Sequence, residues 1–397
     1  MQNKKTSQLE FVALMASLMA LVALSIDALL PALSQIGLSI GYRSDTDGQL
    51  LVTMIFLGLG VGQLFFGPLS DTYGRKNIVY IGLILFVLAS IVCIYSKSLE
   101  MMLFGRILQG IALSSPRTIS ISIIRDSYEG DYMAKIMSFV TVIFIIVPTV
   151  APALGQIILN HYSWQAIFSS QLVFVVLVAV WFAIRQPETL KEKDRLPFNL
   201  QVFTNGILQT FSFKQTTICT IISALITGSF MVYLSASQQV FQIQYGLVDE
   251  FAYIFASLAL TVGGATFING QLVMKYGMKK LLFYALIGYV LVSTTYVFLF
   301  FNSENPSVEI MLSFFGLQFF CLGFIFGNLR ALMMQPIGHI AGIGAAVTGF
   351  VATLFSVPLA TFIGSFIDKT ALPMFIGFAI CSSLGLLLFL SIKNQKV

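Results

Sequence analysis

Charge is scarce in this chain. Only 10% of its 397 residues are Asp, Glu, Lys or Arg, where a soluble domain carries about 25%. Histidine occurs twice, as His161 and His339, both in predicted loops. The four cysteines, Cys93, Cys219, Cys321 and Cys381, all fall inside apolar runs. They read as small buried hydrophobes, with neither a disulfide framework nor metal-ligand spacing. No metal and no cofactor are expected. The net charge of +5 and pI of 8.9 do not indicate nucleic acid, because the positive charge is spread over short loops with no basic domain to follow a backbone.

What the chain has in quantity is apolar sequence: 57% of residues and a mean hydropathy of +0.90. Runs of about 20 apolar residues, the length a helix needs to cross a bilayer, recur from end to end. Twelve are expected, at 9–33, 48–70, 77–96, 99–124, 134–159, 164–185, 215–237, 250–273, 280–301, 308–334, 339–366 and 371–392. The first is too long for a signal-peptide core and has no small-residue cleavage site after it, so it reads as a retained helix. The chain is therefore expected to be an all-α polytopic membrane protein in contact with membrane lipid.

Basic residues orient these spans. Seventeen lysines and arginines, from Lys4 and Lys5 through Arg75, Lys76, Arg125, Lys279, Lys280 and Arg330 to Lys396, fall on one side, against Arg43, Lys97 and Lys369 on the other. By the positive-inside bias both termini are expected in the cytoplasm. The longest polar stretch, RQPETLKEKDRLPFNLQVFTNG at 185–206, lies between spans six and seven. The expected organisation is an N-terminal six-helix half (1–185), a cytoplasmic linker (186–214) and a C-terminal six-helix half (215–397), a plan common among secondary transporters. GPLSDTYGRK after span two and NGQLVMKYGMKK after span eight both end in an aromatic, a glycine and basic residues, which fits a duplicated unit.

Three stretches carry unusual chemistry for a membrane. In LVALSIDALLPAL, Asp27 is a lone carboxylate in a long apolar run. No other acid falls well inside a predicted span, and an intramembrane ionisable residue is a functional candidate by default. In LFGRILQGIALSSPRTISISIIRD, Arg106 and Arg117 lie eleven residues apart, about three helical turns, and so share a helix face. In lipid each would cost about 3 kcal/mol, so the face should look at protein or at a water-filled cavity. Either arginine can serve function or bond freed carbonyls. In VPTVAPALGQ, Pro148, Pro152 and Gly155 describe a kinked, closely packed helix.

These stretches resemble the motifs of a known family. Gly67, Leu69, Asp71, Gly74, Arg75 and Lys76 resemble the signature loop of the major facilitator superfamily, G-x-L-a-D-r-x-G-r-k. The resemblance implies a major facilitator fold of twelve transmembrane helices in two six-helix halves. It also implies that the loop is a conformational latch: Asp71 would face the positive N-terminal end of the eleventh helix, and Arg75 would pair with an acid at the end of the fourth, for which Asp126 is the candidate. Arg106, Gln109 and Gly110 resemble the family's R-x-x-q-G motif, linked to proton coupling. Pro148, Pro152 and Gly155 resemble its fifth-helix antiporter motif, with Ala151 and Gln156 where the general pattern has glycines. P-x-x-A-P-x-x-G, HYSWQAIF, PETL, DALLPAL and NLRALMMQPIGHIAG resemble the bicyclomycin-resistance (Bcr/CflA) branch of drug exporters. Arg330 departs from that branch's pattern.

The resemblance implies a proton-coupled exporter (an antiporter) of drugs or drug-like small molecules in the bacterial inner membrane, working as a monomer by alternating access. A dedicated exporter of one metabolite, such as a siderophore or amino-acid derivative, stands as the alternative. An enzyme would show a convergent nucleophile, base or metal set, and none is found. Proton coupling is expected at Asp27 and Arg106: a proton would neutralise the carboxylate where it is dry and leave it where it is wet or paired. A static Asp–Arg pair joining two helices is the plainer reading. The family places its cavity among helices one, four, seven and ten, where Asp27, Arg106, Gln109, Arg117, Tyr233, Gln238, Gln239, Gln318 and Asn328 are the polar residues able to contact a substrate. Interhelical hydrogen bonding is an equal claim on the neutral ones.

Overall fold

Lipid offers no hydrogen bonds, so a chain this apolar must satisfy its backbone internally. A computed structural model describes residues 7–44, 46–195 and 200–393, and among them every regular element is helical. Lys4, Lys5 and Lys396 of the charge count lie outside the described residues.

The chain divides into two units, Met1–Gly41 with Met54–Asn199, and Tyr42–Thr53 with Leu200–Val397. The first unit holds α1 (Gln8–Asp27), α2 (Leu33–Ile40), most of α3 (Asp47–Tyr73), α4 (Arg75–Ile94), α5 (Leu99–Ser127), α6 (Gly130–His161) and α7 (Gln165–Arg185). The second holds α8 (Leu200–Ser212), α9 (Lys214–Gln238), α10 (Phe251–Tyr276), α11 (Met278–Phe300), α12 (Val308–Met334), α13 (Ala341–Gly364) and α14 (Leu372–Lys393). Counting α1 with α2, eleven spans among the described residues are long and apolar enough to cross a membrane. The 32-residue α6, apolar from Val140 to Leu159 apart from Thr141, Thr149 and Gln156, makes the twelfth.

Several boundaries differ from the sequence reading. The first span does not run straight from 9 to 33. It breaks after Asp27, passes through a 3₁₀ turn at Leu30–Ala32 and resumes as α2 to Ile40. Pro31 supplies the reason: it has no N–H to give to the Asp27 carbonyl four residues back, so the α-helix cannot continue. His161, expected in a loop, is the last residue of α6. His339 falls in a 3₁₀ segment, Gln335–Ile340. Span seven continues past Gln238 as a π-helical turn, Gln239–Gln244. The polar stretch taken as a linker contains α8, which packs on α13.

Local chemistry fixes the helix starts. Ser7 Oγ accepts from the Glu10 amide and Ser98 Oγ from the Met101 amide, each cap worth about 1 kcal/mol. In the first unit α4 packs on α5, and α1 on α6. In the second, α9 packs on α13 and α14, and α12 on α10 and α11. The two aromatic–glycine–basic loops share one geometry. Gly74 has φ 96° and Gly277 φ 78°, a region that disfavours side chains, and each immediately precedes a helix.

Candidate functional site

In the first unit the break in the first span sets the site. Asp27 is the last residue of α1 and is 5% exposed. A carboxylate there bears two costs: loss of water, and the negative end of the helix dipole. Among the described residues it takes part in no ion pair. Arg106 of α5 is fully buried, and its Nη1 donates to the Ser25 carbonyl at 3.0 Å and to Gln109 Oε1 at 2.8 Å. Ser25 belongs to the last turn of α1, where carbonyls have no helical donor. The guanidinium therefore places its charge at the dipole's negative end, two residues from Asp27. Gln109 Nε2 donates to Ser90 Oγ at 2.8 Å, and Gln171 of α7 donates to the Leu24 carbonyl at 3.2 Å.

Asp27, Arg106 and Gln109 thus gather at one end of α1. Arg117 is half-buried further along α5. On α6, Pro152 is buried and Pro148 half-buried, and the helix continues through both. Gly155 is the close-approach point, because a β-carbon there would overlap the Ala28 carbonyl oxygen.

The signature loop is a second cluster. Arg75 is 3% exposed. Its Nε donates to Asp126 Oδ2 at 2.9 Å, and its Nη1 donates to Ser70 Oγ at 2.7 Å and to Asp71 Oδ1. Asp71, Arg75 and Asp126 are brought together; Gly67 lies one helical turn before Asp71 with nothing within 4 Å of an added β-carbon. Glu188 carries a role that its residue type and position alone do not reveal. Its carboxylate accepts from the Arg75 and Lys76 amides, both at 3.0 Å, and so caps α4. The signal for it in the sequence is the PETL motif at 187–190.

In the second unit, Tyr233 of α9 is 1% exposed. Its ring meets Phe319 at 4.6 Å, Phe315 at 5.2 Å and Phe255 at 5.9 Å. Gln238 Nε2 donates to Gln242 Oε1 at 2.9 Å, and Gln239 Nε2 to the Ile367 carbonyl at 2.8 Å. Asn328 Nδ2 donates to Asn269 Oδ1 at 2.7 Å, tying α12 to α10. Gln318 is fully buried, and neither amide atom has a hydrogen-bond partner among the described residues. Arg330 is exposed, and nothing in the structure assigns it a role.

Comparison with known proteins gives a consistent answer. The family model described as Major Facilitator Superfamily matches residues 15–356. A bicyclomycin resistance protein homolog of Haemophilus influenzae is 27% identical over 99% of each chain. The multidrug resistance protein MdtL of Salmonella paratyphi C is 24% identical, over 96% of this chain and 94% of that one. Among solved structures, a D-xylose–proton symporter superposes with a TM-score of 0.74 at 14% identity, over 96% of this chain and 97% of that one. That last likeness is one of fold.

Proposed function

The chain belongs to the major facilitator superfamily and is a multi-pass membrane transporter of small molecules; from that premise we propose that it exports drugs or drug-like compounds across the bacterial inner membrane in exchange for protons. The observation that carries the reading is Asp27, a carboxylate buried at the broken end of α1 with the Arg106 guanidinium bound to the same helix end. Protonation removes the charge whose burial is costly. Exposure to water, or a move onto Arg106, releases the proton. A site whose carboxylate alternates between those surroundings couples proton movement to the rocking of two halves, 1–185 and 215–397, about the linker. One charge crossing 100 mV is worth about 2.3 kcal/mol, enough to drive an appreciable substrate gradient.

Two relatives support drugs as the cargo, since one is named for bicyclomycin resistance and another for multidrug resistance. The side chains around Tyr233 are compatible with this: Phe255, Phe315 and Phe319 pack against its ring, and aromatic surface with a few amide anchors suits varied apolar compounds. The substrate contacts proposed are Asp27, Arg106, Gln109, Arg117, Tyr233, Gln238, Gln318 and Asn328. Arg75 with Asp71 and Asp126 would serve as the latch, Gly67 and Gly74 shaping its loop, and Pro148, Pro152 and Gly155 as the antiporter element of α6. The charge bias of the loops supports both termini in the cytoplasm, and a monomer is the proposed working unit.

Expression in a strain stripped of its main drug exporters tests this. Raised tolerance to amphenicols or bicyclomycin-like compounds, abolished by a protonophore, is expected. Unchanged tolerance across a broad panel would contradict drug export and turn attention to a single cellular metabolite.

A further inference from the structure

A cavity of about 350 Å³ lies within the second unit, at the end where α11 begins. Lys279 and Lys280 line it, from the first turn of α11. One turn deeper on the same helix are Phe283 and Tyr284, and Leu332 of α12 and Phe389 of α14 complete the apolar wall. Phe283 and Phe389 stack with ring centroids 6.4 Å apart. Tyr284 is 58% exposed, so the wall reaches the outer, lipid-side surface of the helix. Charge at the end of a spanning helix, with aromatic and aliphatic surface one turn inward, matches the order of a phospholipid: headgroup first, acyl carbon beneath.

The charge balance makes the cavity unusual. At the matching loop of the first unit the protein supplies its own anions. Asp71 and Asp126 pair with Arg75, and Glu188 holds the start of α4. The second unit has no such supply. From residue 200 onward its acids are Asp249, Glu250, Glu304, Glu309 and Asp368. Every one lies beside the start of α10, the end of α11, the start of α12 or the end of α13, which is the opposite end of the bundle. Lys214, Lys275, Lys279, Lys280 and Arg330 stand at the near end with no acid among them. Neither Lys279 nor Lys280 makes an ion pair among the described residues; Lys280 lies over the Tyr276 ring at 5.7 Å. Spanning length alone explains why lysines end a helix. It does not explain a cavity between them and a ring-lined wall.

We infer that this cavity is a binding site for an anionic phospholipid, its phosphodiester held by Lys279 and Lys280 and its upper acyl carbons laid against Phe283, Tyr284 and Phe389. Basic pockets between spanning helices are suited to such headgroups, each lysine adding about 1 kcal/mol near the surface. The inference stands apart from the transport reading, because neither lysine belongs to the site around Asp27.

The test uses the full chain in nanodiscs of phosphatidylcholine, with Tyr284→Trp as a fluorescent reporter and the signal of the parent protein, from Trp164 and Trp181, subtracted. Dibrominated phosphatidylglycerol and dibrominated phosphatidylcholine are titrated as quenchers. The glycerol lipid is expected to quench at a much lower mole fraction, by about fivefold per lysine. Lys279→Gln with Lys280→Gln should bring the two lipids level, and Lys279→Arg with Lys280→Arg should keep the preference and report an intact fold. Equal quenching by both lipids in the parent background would overturn the proposal, as would a preference that survives the double glutamine change. Full displacement of the brominated lipid by millimolar inorganic phosphate would also overturn it, by showing a free-anion site.

Discussion

Gly155 of α6 rests on the backbone of Ala28, the residue after Asp27: a β-carbon at 155 would overlap the Ala28 carbonyl oxygen and lie 3.2 Å from the Ala28 Cα. The glycine therefore sets how closely α6 can press on the broken end of α1. Gly155→Ala should cost about 1–3 kcal/mol by overpacking and should slow transport, since the displaced segment carries Asp27. Gly270→Ala is the control, because its added carbon meets nothing within 4 Å. Thermal unfolding of the two variants should separate them by several degrees.

Glu188 holds the start of α4 from 112 residues away along the chain. Its Oε1 accepts from Arg75 and its Oε2 from Lys76. Glu188→Ala should cost about 1 kcal/mol, the usual worth of a helix cap, and should speed hydrogen exchange at those two amides. Glu188→Gln keeps the first acceptor and should leave the Arg75 amide protected. Equal exchange at Arg75 in both variants would count against the cap.

Arg75 ranks its two acids. The Asp71 side chain is 41% exposed and that of Asp126 16%, against 4% for Arg75. An exposed pair is worth about 0–1 kcal/mol, while breaking a well-buried one costs about 3–5. Asp126→Ala should therefore destabilise by about 2 kcal/mol, more than Asp71→Ala. Arg75→Lys should not rescue, because one ammonium cannot reproduce the fork that reaches Asp126 and Ser70 together. Denaturation of the three variants checks the order.

Asn269 and Asn328 join α10 to α12. A double-mutant cycle with leucine at each position should give a coupling of about 0.6 kcal/mol, the usual value for a hydrogen bond between membrane helices. A larger effect of Asn328→Leu on transport than on stability would place that side chain at the substrate.

Much of this architecture was legible in the sequence because hydropathy reports length directly. Spans such as 308–334 match α12 end to end. The repeated aromatic–glycine–basic loop was legible as well, and the shared positive φ of Gly74 and Gly277 gives it a physical meaning. Hydropathy is blind to register, so the break after Asp27 escaped it although Pro31 was in plain view. The π-helical turn after Gln238 and the α8 helix inside the polar stretch escaped for the same reason: both depend on packing rather than on length. Around Asp27 the residue types were legible but their partners were not. The sequence marks Asp27 and Arg106 as the proton-coupling residues, and the structure adds that Arg106 Nη1 donates to the Ser25 carbonyl, two residues from Asp27, and to Gln109. Likewise, Asn328 stood out by its polarity, yet nothing in the sequence marked Asn269 as its partner.

The most direct test of the account places purified protein in liposomes with a pH-sensitive dye inside, imposes a proton gradient and adds an amphenicol or a bicyclomycin-like compound. Asp27→Asn preserves shape and removes the exchangeable proton. Substrate-dependent proton movement in the parent that vanishes in Asp27→Asn, with thermal stability unchanged, is the predicted result. Proton movement that persists in the variant would contradict the account, leaving Asp27 a structural residue and the coupling site elsewhere.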